Sequence, residues 1–227
     1  MAPQTFPALF GLYRQRLLPR GVHIVGYARS KMDDEVFKKQ QTSYIKNTDD
    51  PEIKSKLDEF TGFSSYISGQ YDRDEDFQAL ESYLRVLESK YQGDQPNNRL
   101  FYFALPPGVF ITVSQHIKRN NDTARGLTRL IIEKPFGKDL DSCRELVTAI
   151  KRDWKEDQTF RIDHYLGKEM VKNILLFRFA NVAINSGWDK NSISNVQISF
   201  KEPFGTDGRG GYFDEFGIIR DILQNRE

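Results

Sequence analysis

Residues 22–28 read VHIVGYA. This short apolar run ends in a turn-prone segment, the pattern of a buried strand. What surrounds it decides the fold. A charged helical stretch follows over roughly 33–58, then a second strand candidate, SSYISGQY (64–71). Residues 73–91 place Phe77, Leu80, Leu84, Leu87 and Tyr91 on one helical face. RLFYFAL (99–105) reads as a strand stopped by Pro106 and Pro107, and a helix follows over roughly 108–119. LTRLIIE (127–133) is another strand, closed by Lys134-Pro135-Phe136-Gly137, and Asp139 can cap a helix running to about Trp154. Strand and helix alternate throughout, which is the rhythm of right-handed βαβ units and a mainly parallel sheet.

After Arg161 the texture changes. A helix near 165–180 precedes the alternating ISNVQISFK (193–201), which predicts an antiparallel strand with one solvated face. The glycine-dense FGTDGRGGYFDEFG (204–217) reads as a flexible hairpin turn, since it lacks the strand-then-helix context of a dinucleotide loop. A domain change is placed near residue 160, giving domains 1–160 and 161–227.

Composition narrows the function classes. The formal net charge of the 227-residue chain is +1, which gives no general pull toward nucleic acid or membrane. No apolar run reaches the ~20 residues of a membrane span. A single cysteine, Cys143, excludes a disulfide framework and fits a reducing compartment, so a cytoplasmic location is expected. Its spacing with Leu140, Leu146, Val147 and Ile150 makes it a small core residue on an amphipathic helix. No acid precedes Asp33, while Arg14, Arg16 and Arg20 do. Such a start can be a mitochondrial presequence, but it flows straight into the first strand, so a short helix from Phe6 to Leu18 is the simpler reading.

In an open α/β sheet, ligands sit beyond the carboxyl ends of the strands. Arg29 ends the first run, where it could meet a dinucleotide 2′-phosphate; a solvated arginine is the plainer alternative. Tyr102 precedes the double proline. Lys134 is restricted by Pro135 to extended geometry, and the bond between them could be cis; spacing alone equally allows a surface lysine before a turn. In RIDHYLGKE (161–169), a helix beginning near Asp163 would put His164 and Lys168 one turn apart, with the helix amides adding positive potential. That is a phosphate cradle; the alternatives are a capping Asp163 and a structural histidine. His23 and His116 have no such company and read as structural. Glu202 and Asp221 flank the glycine-dense segment and could accept from sugar hydroxyls, although exposed carboxylates are the default.

The motifs IVGYARS, FALPP, EKPFG, RIDHYLGKE, FKEPFGT and GRGGYFDEFGIIRD occur in one order. In this the chain resembles the glucose-6-phosphate dehydrogenases of the fungal type, from about Thr5 to Asn225. Gfo/Idh/MocA-type sugar dehydrogenases also carry an EKP lysine after a strand, but RIDHYLGKE argues against them. The resemblance implies an incomplete Rossmann-type parallel sheet followed by the start of an α+β substrate and dimerisation domain. It implies oxidation of glucose 6-phosphate by NADP to the lactone, the first step of the oxidative pentose phosphate pathway. Arg29 matches the coenzyme 2′-phosphate contact and Tyr102 a coenzyme-site residue. Lys134 matches the lysine touching nicotinamide and sugar. His164 and Lys168, with Tyr165 beside them, match the sugar-phosphate grip. Glu202 and Asp221 match contacts to the sugar hydroxyls, and Asp163 the carboxylate that orients the catalytic histidine.

Three departures follow from the same resemblance. The family's histidine base follows IIRD and Gln-Asn, where this chain has Arg226. Arginine stays protonated and cannot act as a general base. The family's first strand and glycine loop are not matched, so two internal sheet edges are expected to lack a partner and stable independent folding is not expected. The family is homo-oligomeric, and most of its dimer surface lies in the part this chain does not match. Little or no turnover is therefore expected. A second expectation is a non-catalytic fragment that binds the sugar phosphate or a full-length subunit.

Overall fold

In the computed structural model the chain divides into two compact units, Met1–Ile132 with Leu146–Phe160, and Glu133–Glu145 with Arg161–Glu227. The structure describes residues 5–91 except 47 and 49, 96–163, 166–201 except 198 and 200, then 205, 206, 208 and 210–220.

The first unit opens on α1 (Thr5–Arg14), whose Phe6 and Phe10 are one turn apart and buried. VHIVGYA forms β1 (Ile24–Ala28). The helical stretch expected after it is formed by two helices, α2 (Asp34–Thr42) and α3 (Pro51–Gly62). The break has a local cause. Asp50 caps α3 by accepting from the Glu52 amide at 2.9 Å, and Pro51 occupies the first turn, where its missing N–H costs nothing. Asp33 caps α2 in the same way through the Val36 amide. β2 (Ser64–Ser68) then pairs with β1 in parallel, Ile24 opposite Ser64 and Ala28 opposite Ser68. Phe6, Phe10, Phe37, Leu57 and Phe60 form the core cluster, so α1, α2 and α3 pack together.

The helix α4 (Asp74–Ser89) buries Phe77, Leu80 and Leu87, whereas Tyr91 lies past its end and is exposed. Its first turn meets β1 through Phe77 against Tyr27, ring centroids 5.4 Å apart. Further along it meets β3 (Arg99–Phe103) through Glu81 and Glu88, both bonded to Arg99. α5 (Phe110–Asn120) and β4 (Thr128–Glu133) follow, and β4 runs parallel to β3 with Arg99 opposite Thr128. After α6 (Leu140–Lys151), β5 (Thr159–Ile162) completes a sheet of order β3-β4-β5. The strands thus form two sheets, β1-β2 and β3-β4-β5. Among the described residues, the β1 edge away from β2 and the β3 edge away from β4 have no partner strand.

The reading of α6 needs correction. Leu146 and Ile150 are buried, but Leu140 is exposed and Cys143 only half-buried. The first half of α6, to Glu145, belongs to the second unit, and the buried positions of the apolar stripe, Leu146 and Ile150, to the first.

The second unit contains α7 (Glu169–Ala180), α8 (Val182–Asn185) and α9 (Gly210–Ile218). α7 buries no residue, and Ile174, Leu175, Leu176, Phe177 and Phe179 are all exposed. Of the antiparallel strand expected at 193–201, none of the described residues is in a strand. An alternating segment makes a ladder only with a neighbour, and the described residues of 193–201 pair with none. The hairpin turn expected at 204–217 is also wrong for its described second half, which is α9. Tyr212 and Phe216 stack one turn apart, centroids 4.7 Å and planes 15° apart, which outweighs the glycines' weak helix propensity. Among the described residues no helix is long and apolar enough to cross a membrane.

One ion cluster makes a testable link to pH. Asp74, at the start of α4, accepts from Asn120 Nδ2 at 2.8 Å, lies 2.9 Å from His116 Nδ1 and accepts from Arg119 at 2.8 Å. These bonds, Asn120 first, lower its carboxyl from 3.8 to about 2. A depressed carboxyl stabilises the fold above its unfolded value and loses that contribution as pH falls toward its folded value. Acid titration should therefore destabilise the parent between pH 3.8 and about 2 more steeply than Asp74→Asn. Equal slopes for the two would count against the cluster.

Candidate functional site

In the first unit, β1 and β2 are parallel, so their carboxyl ends open on one side. Arg29 follows β1 there, and its guanidinium lies 5.3 Å from the ring centroid of Tyr71, which follows β2. Tyr27 sits against Tyr71 at 6.2 Å and donates to the Gln70 carbonyl at 2.8 Å. Tyr66 donates to the carbonyls of Ser30 and Ala28, which holds the backbone on either side of Arg29. Burial, with Asp76 and Tyr71 nearby, pushes the Tyr27 phenol up. Burial and then Tyr71 raise Tyr66 likewise, so both phenols remain neutral donors. The result is an exposed cation resting on an aromatic ring at a strand mouth, a geometry suited to an anionic group. Tyr71 was not singled out in the sequence; its place beyond the strand paired with β1 was the available signal. Tyr102 lies on β3 opposite Ile131, on the face that alternates with buried Phe103.

In the second unit, Lys134 leaves the end of β4, and the Lys134-Pro135 bond is cis. Pro135 is buried and Lys134 half-buried. Asp163 follows β5, the neighbour of β4 in the sheet, and is also half-buried. The expected helix start near Asp163 is corrected. β5 occupies 159–162 and α7 begins at Glu169, with Lys168 as its non-helical cap (φ −70°, ψ 132°). The Lys168 carbonyl accepts from the Val171 and Lys172 amides, both at 3.1 Å. Lys168 therefore precedes the helix and is not part of its first turn. His164, Tyr165, Glu202, Asp221 and Arg226 lie outside the described residues. His23 and His116 are structural as expected: His23 Nε2 lies 2.9 Å from Ser65 Oγ, and His116 stacks on Phe77 at 4.9 Å beside Asp74.

Residues 2–173 match the family model of the glucose-6-phosphate dehydrogenase NAD binding domain, and residues 175–226 that of its C-terminal domain. The chain belongs to the glucose-6-phosphate dehydrogenase family. It is 58% identical over 222 residues to the glucose-6-phosphate 1-dehydrogenase of Aspergillus niger, covering 98% of this chain and 43% of that protein. It is 50% identical over 223 residues to that of Saccharomyces cerevisiae, covering 98% and 44%. A solved glucose-6-phosphate dehydrogenase in complex with its substrate glucose-6-phosphate superposes with a TM-score of 0.87 at 49% identity, covering 98% of this chain and 46% of that one. The chain thus spans less than half the length of the relatives it matches.

Proposed function

We propose that this chain carries the coenzyme and sugar-phosphate contacts of a glucose-6-phosphate dehydrogenase, with NADP as coenzyme and glucose 6-phosphate as substrate. Residues 1–160 form the coenzyme part and 161–227 the start of the substrate part. The reading is supported most by the stacking of Arg29 on Tyr71 at the mouth of parallel strands, in a chain whose family is known. In dinucleotide sheets an acid near this place accepts from the ribose 2′-hydroxyl, whereas an arginine accommodates a 2′-phosphate. The residues present thus fit NADP, which when bound supplies the acceptor for the hydride from C1 of the sugar. Tyr102 is assigned to the same coenzyme site.

The remaining roles belong to the chain's own groups. Lys168 and His164 hold the sugar phosphate with Tyr165 beside them. Glu202 and Asp221 accept from the sugar hydroxyls. The Lys134 ammonium donates at the reacting end and orients it. Asp163 is the carboxylate meant to hold the base, and Arg226 at the base position cannot take the C1 hydroxyl proton. Binding with little or no turnover is the expected outcome, and a non-catalytic fragment that binds the sugar phosphate is the second reading. A calorimetric titration with glucose 6-phosphate tests this beside an NADPH-formation assay. Lys168→Ala should weaken sugar-phosphate binding roughly ten- to hundredfold, as expected for a lost charged hydrogen bond. Equal affinity of variant and parent would remove Lys168 from the site.

A further inference from the structure

The second unit joins two segments distant in sequence, the turn after β4 and the helix α9. The Lys138 ammonium pairs with the Glu215 carboxylate and lies 5.5 Å from the ring centroid of Phe216. Phe216 is the buried residue of α9. On its other side the same turn is tied to α6: the Lys138 and Asp139 amides donate to Ser142 Oγ at 2.9 and 3.1 Å, and the Ser142 amide donates to Asp139 Oδ1 at 2.9 Å. Two glycines shape this region, and only the first is a close approach. Gly137 has φ +106°, and a Cβ there would stand 2.6 Å from the Cys143 amide nitrogen. Gly217, directly after Phe216, has φ +71° and kinks the backbone inside α9. Both conformations are ones that side-chain-bearing residues rarely adopt.

An ion pair as exposed as this one adds little to stability. Its place is what matters, because the turn it fastens is the one that carries Lys134. We propose that Lys138 is a positioning residue: through Glu215 and Phe216 it holds the turn 134–139 to α9 and so fixes where the Lys134 ammonium stands. This rests on the assignment of Lys134 as a substrate contact.

The test uses the full chain, with Lys138→Met, Glu215→Gln and the conservative Lys138→Arg. Two quantities are read, amide hydrogen exchange across residues 134–139 and the Kd for glucose 6-phosphate. Lys138→Met and Glu215→Gln should each raise exchange in the turn and weaken the sugar phosphate by about tenfold, mid-range for coupled contacts. Lys138→Arg, which keeps the ion pair and the ring contact, should restore both. Unchanged exchange in Lys138→Met overturns the clamp. Raised exchange with an unchanged Kd overturns the positioning role. Should the parent itself not bind glucose 6-phosphate, the reading of Lys134 as a contact falls, and exchange alone then decides whether Lys138 fastens the turn.

Discussion

Arg99→Ala should lower the stability of the first unit by about 3–5 kcal/mol, the cost of removing one partner from a buried ion pair. The Arg99 side chain is only 6% exposed. Its guanidinium bonds Glu81 at 2.5 Å, Glu88 at 2.7 and 2.9 Å, and the Asn121 carbonyl at 2.9 Å. Burial raises the Glu81 carboxyl, and the bonds from Arg99 and Arg85 more than reverse that. Without Arg99, two partly buried carboxylates from one helix would face a cavity. The loss compares with a whole-domain stability of only about 5–15 kcal/mol. Arg99→Lys should recover part of it, because an ammonium meets one carboxylate well but cannot fork across two. Denaturant titration measures the effect, and an Arg99→Ala midpoint equal to the parent's would mean that the cluster is not holding α4 to β3.

Arg226→His should raise NADPH formation by about 10²–10⁴-fold over the parent, the usual worth of a general base. The rate should climb with pH through about 6.5 as the imidazole loses its proton. A flat profile with unchanged activity would show that Arg226 does not stand at the base position. Arg226→Lys serves as the control, since it keeps the charge and adds no base near neutral pH.

Much of the fold was legible because periodicity and punctuation agreed. VHIVGYA, RLFYFAL and LTRLIIE are short apolar runs closed by Arg-Ser, Pro-Pro and Lys-Pro, and each became a strand. The errors came where a local signal needed a partner to mean anything. ISNVQISFK alternates well, yet none of its described residues is in a strand. GGYFDEF looked like turn chemistry from its glycines, while the Tyr212–Phe216 stack made it helical. Within the helical stretch expected over 33–58, Asp50-Pro51 was a readable signal for the start of a second helix. At the candidate site, Arg29 and Lys134 were visible as strand-end cations. Tyr71 and Glu215 were not, because what marks them is the residue they touch, 42 and 77 positions away from Arg29 and Lys138 respectively.

The division into two sheets also bears on the order of folding. β1 pairs with β2 across about 40 residues and β3 with β4 across about 29, so each sheet closes its own loop without waiting for the other. α4 touches both, by Phe77 at one end and by Glu81 and Glu88 further along. Separate loop closures predict that the two sheets can form independently and are joined when α4 docks, which hydrogen exchange measured during refolding would read as two protection phases.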